Sequence, residues 1–231
     1  LYNGCVEIIM GKGSHLDYVN IQDFARNVYN FSTERAKVGE EATLHWVTGG
    51  IGGKFNKNLI EADMVGARGE ALLSGVYFAD SKQQFHYDTQ QNHIAPSCRS
   101  DLLYKSALRD DARTVWRGNI RVFHDAQKTD AYQANRNLVL SDGARADSVP
   151  NLEIETGEVS GAGHASATGR FDDEQLFYLQ ARGIAADDAR RMVVRGFFTE
   201  VLDQIPDADI RDRLWAAVDD EIGAVGSGVG S

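Results

Sequence analysis

The sequence is poor in cysteine, with only Cys5 and Cys98 among its 231 residues. The two lie far apart and form no CxxC pair, so a disulfide framework is excluded. So few thiols are typical of a reducing compartment, and we expect a cytoplasmic location. Cys98 is expected to act as a small buried apolar residue.

Long apolar runs and an excess of positive charge are missing as well. No apolar run approaches the length of a membrane-spanning helix, so no membrane span is expected, and no signal peptide is visible. Because the chain starts at Leu1 and not at Met, we expect that an upstream segment is missing. The net charge of −10 argues against nucleic acid or anionic membrane as partners, since both need clustered lysine and arginine.

Signatures of catalysis are absent too. The glycine-rich run Thr48–Lys54 has Thr48 where a phosphate-binding loop needs glycine, and Phe55 follows where it needs Ser or Thr. GxSxG and HExxH motifs do not occur. We therefore expect no ATP hydrolysis by this chain alone and no enzyme activity.

The six histidines form no close ligand pair in the sequence; they are His15, His45, His86, His93, His124 and His164. His86 and His93 are expected to be solvated or hydrogen-bonded strand residues. His164 stands apart, because it lies among glycine, alanine and serine residues. With nothing large beside it, its ring could project toward a ligand or a partner.

Residues 1 to about 169 are typical of short strands. β-Branched and aromatic segments alternate with turns rich in Gly, Asp and Asn. No long amphipathic helix separates them, which excludes a doubly wound α/β fold. A loose turn pattern recurs at 66–68, 111–113 and 143–145, and 125–127 is a weaker copy. Such imperfect repetition indicates a β-solenoid, with a β-sandwich as the alternative.

Helices are predicted from residue 171 onward. Asp172 is a good N-cap with Gln175 at N3, and Gly183 ends the first helix. The second helix is expected over 186–205, ended by Pro206, and the third over 207–222. The apolar set predicted for the second helix is Ala189, Met192, Val193, Phe197, Val201 and Ile205. Residues 172–221 carry thirteen acidic residues and six arginines, so these helices are strongly acidic.

Four stretches resemble the SufB/SufD family of iron–sulfur cluster assembly proteins: residues 92–105, 126–142, 146–155 and 163–184. The resemblance implies a mainly β fold, with a right-handed parallel β-helix over 1–169, a C-terminal α-helical domain over 170–222 and a flexible tail over 223–231. It further implies a complex with a SufB-like paralogue and a SufC-like ABC ATPase. A homodimer is a further possibility.

Within this family the chain is more similar to SufD. The segment that carries a cluster-assembly cysteine in SufB-like proteins has Asn135 here, and Ala165 follows His164 where SufB-like proteins tend to have Glu. SufD-like proteins keep the histidine, often with a cysteine two residues earlier, where this chain has Ala162. The resemblance therefore implies a non-catalytic scaffold subunit with no stably bound cofactor.

Three site assignments follow from this resemblance. His164 is expected to be a ligand of a transient iron–sulfur cluster that is shared with the partner. Phe197, Phe198 and Trp215 are expected to form a dock for the ATPase on the helices of 172–222. Dimerisation is expected through residues 130–166. The alternatives are a carbohydrate-active β-helix enzyme and a purely structural homodimer.

Overall fold

The structure, a computed structural model, describes residues 1–205 and 207–223. The expected stop at Pro206 and almost all of the expected tail lie outside these residues. The strands are β1 Tyr2–Ile9, β2 His15–Gln22, β3 Tyr29–Val38, β4 Thr43–Gly50, β5 Phe55–Met64, β6 Glu70–Ala79, β7 Gln84–His93, β8 Arg99–Leu108, β9 Arg113–Val122, β10 Thr129–Val139, β11 Arg145–Ile154 and β12 Val159–Arg170. The helices are α1 Asp173–Ala181, α2 Ala186–Leu202 and α3 Ala208–Gly223.

The strands form two parallel sheets that the chain visits in turn. Sheet one has the order β1-β3-β5-β7-β9-β11, and sheet two has the order β2-β4-β6-β8-β10-β12. Every strand pairs in parallel with the strand two positions away in sequence, so each coil adds one strand to each sheet. This arrangement confirms the predicted parallel β-helix followed by helices, and it excludes the sandwich alternative.

The corners between the sheets follow a backbone rule. At four of the corners where the chain passes from sheet one to sheet two, one residue has a left-handed φ and the next residue is small and buried. These pairs are Glu41 with Ala42, Arg68 with Gly69, Ser97 with Cys98, and Lys128 with Thr129. Cys98 therefore fills a small buried corner position, as the sequence predicts.

The copies of the loose turn pattern seen in the sequence lie at two kinds of corner. Arg68 has the left-handed conformation and precedes the buried Gly69. In the second copy, Ala112 is itself the buried residue and Arg113 begins β9. The first copy therefore differs in structural position from the second, whereas the second and third copies are equivalent, because Arg113 pairs with Arg145.

The glycine-rich run at 48–54 is explained by close packing. A Cβ on Gly50 would lie 2.0 Å from the hydroxyl of Tyr87, and a Cβ on Gly52 would lie 2.0 Å from the backbone oxygen of Phe24. Larger residues cannot fit at these two positions. The run is thus a tight end of β4 and its corner, which agrees with the absence of a phosphate-loop pattern.

The interior of the solenoid is filled by large side chains. Trp46, Trp116, Tyr77, Tyr87 and Tyr104 are almost completely buried between the sheets. Rings of this size each bury roughly 150–250 Å², so they supply much of the apolar area of the core. Stacked coils bury rings that a single coil would leave exposed.

A second core lies outside the solenoid, between sheet two and the helices. Val76 and Phe78 of β6 pack with Val194 and Phe198 of α2 and with Leu214 of α3. The helices therefore cover part of the outer face of sheet two. Within residues 1–205 and 207–223, no helix is both long and apolar enough to cross a membrane.

The helix ends agree with the sequence better than the helix faces do. The Asp172 side chain accepts a hydrogen bond from the Glu174 backbone N–H at 2.8 Å, and Gly183 follows α1 with φ +85°. In α2, however, Met192 is half exposed, and the buried residues are Ala189, Val194, Phe198, Val201 and Leu202. The predicted apolar face was thus partly wrong.

Candidate functional site

The two sheets end together at one end of the solenoid. The last strand of sheet one is β11, and the last strand of sheet two is β12. Among the residues that the structure describes, each of these strands pairs on one side only, with β9 and with β10 respectively. We call the surface formed by 145–154 and 159–170 the open end. It presents unpaired backbone groups, as β1 and β2 do at the other end of the described solenoid, and it is one place where another chain can add strands.

His164 lies in the middle of β12 at the open end. Its register partner on β10 is Gln133, which is fully buried and faces the interior of the solenoid. His164 therefore lies on the interior face of β12, but it is exposed because no further coil covers it within the described part of the chain. Its neighbours on the same face are Ala162 and Ser166, since alternate strand residues share a face.

A network of hydrogen-bonded polar side chains connects the strands at the open end. Asn137 donates from Nδ2 to Asn135 Oδ1 at 2.9 Å, to Ser148 Oγ at 3.0 Å and to Thr168 Oγ1 at 3.2 Å. Asn135 also donates to the Tyr104 carbonyl at 3.2 Å. These contacts connect β10, β11 and β12, so they hold the strand of His164 in place. Asn135 is buried beneath Ser166, its register partner on β12.

Apolar side chains surround the open end. Tyr132, Val149, Ile154 and Val159 all lie on or beside its strands and are substantially exposed. On the outer face of the sheet, Gly163 packs against the Tyr132 ring, where a Cβ would lie 3.3 Å from the ring. Apolar exposure beside unpaired strand edges is characteristic of a protein interface.

The three aromatic residues expected at the ATPase dock occupy different environments. Phe198 is fully buried in the core between α2 and sheet two. Phe197 is partly buried, and the Lys105 Nζ lies 5.1 Å from its ring centre. Trp215 is also partly buried, with the Arg195 guanidinium 4.5 Å from its ring centre. Of the three, Phe197 and Trp215 thus offer surface to a partner and Phe198 does not.

The sequence reasoning missed a more exposed apolar group on the helices. Phe177 and Tyr178 of α1 are 73% and 56% exposed, and Met192 of α2 is 52% exposed. Tyr178 and Met192 line a shallow apolar groove between α1 and α2, together with Leu179 and Val193. Two adjacent aromatic residues in the middle of a short helix were the available signal.

The chain also matches a known protein family. A family model described as "SUF system FeS cluster assembly, SufBD core domain" matches residues 1–197, which include the whole solenoid and most of α2. The chain belongs to the SufBD family. The resemblance predicted from the sequence is thereby confirmed at the level of the family.

Several SufBD family proteins are similar over nearly all of the chain. An iron–sulfur cluster assembly SufBD family protein of Mycobacterium tuberculosis is 48% identical over 228 residues, which are 96% of this chain and 57% of that protein. A Mycobacterium leprae relative is 46% identical over 96% of this chain and 58% of its own length. A second protein of M. tuberculosis is 32% identical over 89% of this chain and 24% of its own length. The chain thus spans less than two thirds of these relatives.

Proposed function

We propose that this SufBD family chain is a non-catalytic scaffold subunit of an iron–sulfur cluster assembly complex, with a role like that of SufD. It pairs with a SufB-like paralogue at the open end and binds a SufC-like ATPase through its helices. The observation that carries this proposal is the open end itself, where an exposed histidine lies between unpaired strand edges.

The cysteines support a shared cluster and argue against one held by this chain alone. Iron–sulfur clusters are held mainly by cysteine thiolates. Cys5 lies on β1, the first strand of sheet one, whereas the open end is formed by the last strands. Cys98 is buried in a corner, and burial raises the pKa of its thiol. In the proposed complex, His164 therefore contributes one ligand to a transient cluster, and thiolates of the partner contribute the others.

The open end also supports pairing with another subunit. An unpaired strand edge flanked by Val149 and Ile154 risks non-specific aggregation unless another chain covers it. A SufB-like protein with the same coil geometry could continue both sheets. Pairing would then place its side chains directly opposite the exposed face of His164.

The helices support binding of the ATPase. Tyr178 and Met192 line an apolar centre between α1 and α2, with the exposed Phe177 next to Tyr178 in sequence, and the helices carry more acidic than basic residues. Interfaces commonly combine a core of this kind with a polar rim. Phe197 and Trp215 are partly buried and offer further apolar surface on α2 and α3.

Co-purification of the chain with a SufB-like paralogue and a SufC-like ATPase tests the proposal. Deleting 172–231 would expose Val76 and Phe78 of sheet two, so single substitutions are the sharper test of the ATPase dock. We expect Tyr178→Glu and Met192→Glu each to weaken ATPase binding at least tenfold, because either change places a charge in the apolar centre. Binding of the paralogue should remain unchanged.

Ile9→Glu is the matched control, because Ile9 is 81% exposed and lies on β1, far along the chain from the helices. It should leave ATPase binding intact. Normal ATPase affinity in both helix variants would show that the dock lies elsewhere. Failure of the wild-type chain to bind either partner would contradict the scaffold role.

A further inference from the structure

Three potential metal ligands meet on the outer face of sheet two, far from the open end. His15 and Asp17 are two residues apart on β2, so their side chains share a face. The parallel register places His45 of β4 directly beside Asp17. The Asp17 carboxylate lies 3.3 Å from His15 Nε2 through Oδ2, and 2.9 Å from His45 Nδ1 through Oδ1.

The distances among these groups suit a single metal ion. One nitrogen from each histidine and one oxygen of the carboxylate all lie within 4.8 Å of one another. Zinc binds imidazole nitrogen at about 2.0–2.1 Å and carboxylate oxygen at about 2.0–2.2 Å, so two ligands of one ion lie roughly 3–3.5 Å apart. Each imidazole already lies at about this spacing from the carboxylate, with His15 facing Oδ2 and His45 facing Oδ1.

The rings are arranged so that both can reach the same point. The centres of the His15 and His45 rings are 5.0 Å apart, and their planes are nearly perpendicular. Rotation of the exposed His15 side chain can bring its nitrogen closer without disturbing the core. All three side chains are 36–55% exposed, so an ion can enter directly from solvent.

We propose that His15, Asp17 and His45 form a binding site for one divalent transition-metal ion such as Zn²⁺. Two imidazoles with one carboxylate select zinc and similar ions over calcium and magnesium, which prefer oxygen ligands alone. Three protein ligands leave a fourth position for water or for a group of another molecule.

The site connects two adjacent coils near the start of the solenoid. Metal bound there would link β2 to β4 and stabilise the folded chain, because the unfolded chain does not hold the three ligands together. This metal site is independent of the proposed role of His164. A groove of about 540 Å³ on the outer face of sheet two includes His45 and extends toward Tyr132 and Glu200, so space for a ligand borders one side of the site.

The alternative is a hydrogen-bonded surface cluster that binds no metal. Asp17 could simply accept hydrogen bonds from the two imidazoles. The two explanations differ in stoichiometry and in the effect of losing one ligand. A cluster without metal affinity gives no saturable binding, whereas a three-ligand site binds one ion and weakens sharply when any ligand is removed.

Isothermal titration calorimetry of the full, metal-free chain with Zn²⁺ tests the proposal by measuring the affinity and the number of ions bound. We expect one Zn²⁺ per chain, at least tenfold weaker binding in His45→Ala and Asp17→Asn, and a Zn²⁺-dependent rise in melting temperature that both variants lose. Circular dichroism of each variant checks that it folds. Titration with Co²⁺ should produce visible absorption bands of a tetrahedral site in the wild-type chain but not in His45→Ala or Asp17→Asn.

His124→Ala is the matched control, because His124 is exposed and pairs with Asp125 at 2.9 Å but has no second histidine in the pair. It should bind Zn²⁺ as the wild type does. The proposal is overturned if Zn²⁺ binding is not saturable at one ion per chain. It is also overturned if folded His45→Ala and Asp17→Asn bind Zn²⁺ as tightly as the control.

Discussion

At the residue scale, the environments of His93 and His124 shift their pKa values in opposite directions. His93 is fully buried inside the solenoid, with Nε2 2.8 Å from the Ser100 hydroxyl oxygen. Burial lowers the pKa of His93 to about 4. His124 is exposed, and a hydrogen bond to Asp125 raises its pKa. The sequence predicted His93 as either solvated or hydrogen-bonded, and its full burial depends on contacts with distant coils.

The depressed pKa of His93 makes stability depend on pH. As the pH falls from about 6.5 toward 4, the unfolded chain binds a proton that the folded chain does not, so the free energy of unfolding decreases. His93→Gln removes this contribution. Urea unfolding should therefore show a smaller loss of stability between pH 7 and pH 4.5 in the variant, by about 2 kcal/mol.

His124→Gln is the control with the opposite sign. Because the pKa of His124 is raised in the folded chain, its contribution is present at low pH and is lost as the pH rises through that pKa. The variant should lose stability at low pH relative to the wild type. An identical pH dependence in wild type and His93→Gln would contradict the assignment of His93 as a neutral buried group.

At the element scale, charged groups fix α2 on sheet two. Lys105 of β8 is buried, donates a hydrogen bond to the Phe197 carbonyl oxygen at 2.9 Å, and forms an ion pair with Glu200. Arg136 of β10 also contacts Glu200, at 3.0 Å. The hydrogen bond from Lys105 lowers the pKa of Glu200. Helix position thus depends on a buried charge as well as on apolar packing.

Glu200→Gln should destabilise the chain at neutral pH by about 1–2 kcal/mol, because it leaves the buried ammonium poorly compensated. The value is below that of a fully buried pair, since Glu200 is half exposed. The folded pKa of Glu200 is depressed, so its contribution is present above the unfolded value and lost as the pH falls through the folded value.

Chemical unfolding of wild type and Glu200→Gln at several pH values measures this effect. The difference between them should be present at pH 7 and disappear in acid. Glu155→Gln is the control, because the pair of Glu155 with Arg121 is exposed on both sides and should contribute little. Equal effects of the two substitutions would contradict the role of the Lys105 contact.

The limits of sequence analysis are clearest at this scale. The helices, their N-cap at Asp172 and the end at Gly183 were all predictable from local residue types. The buried face of α2 was not, because the helix carries two adjacent apolar stripes. Packing on sheet two selects the stripe with Val194 and Phe198, and leaves Met192 half exposed.

At the scale of the whole molecule, coil length decides which residues meet. The register pairs Tyr29 with Phe55 in an early coil and Arg113 with Arg145 in a later one, and the stretch of chain between the paired residues is longer in the later coil. The parallel β-helix was predictable from strand texture and family resemblance, but this varying offset was not. The small neighbours of His164 made it a candidate from the sequence. Because the offset varies from coil to coil, the sequence did not show that Asp17 lies beside His45.

The proposed scaffold role depends on the whole architecture. The solenoid ends in two strands with an unpaired edge, the exposed face of β12 carries His164, and the helices stand on the outer face of sheet two. In the proposed complex, pairing and cluster binding would therefore share one surface, and the ATPase would bind a separate one. Loss of the His164 imidazole should remove a ligand without disturbing the pairing, because this exposed side chain contributes little to the core.

The most direct test measures iron and acid-labile sulfide in the complex of this chain with its SufB-like and SufC-like partners, for wild type and His164→Ala. Light scattering follows assembly in parallel, and His124→Ala is the control. The account predicts that His164→Ala keeps the assembled mass but loses most of its iron and sulfide, while the control keeps both. Unchanged iron and sulfide in His164→Ala, or loss of assembly together with the cluster, would contradict the role of His164 as a ligand.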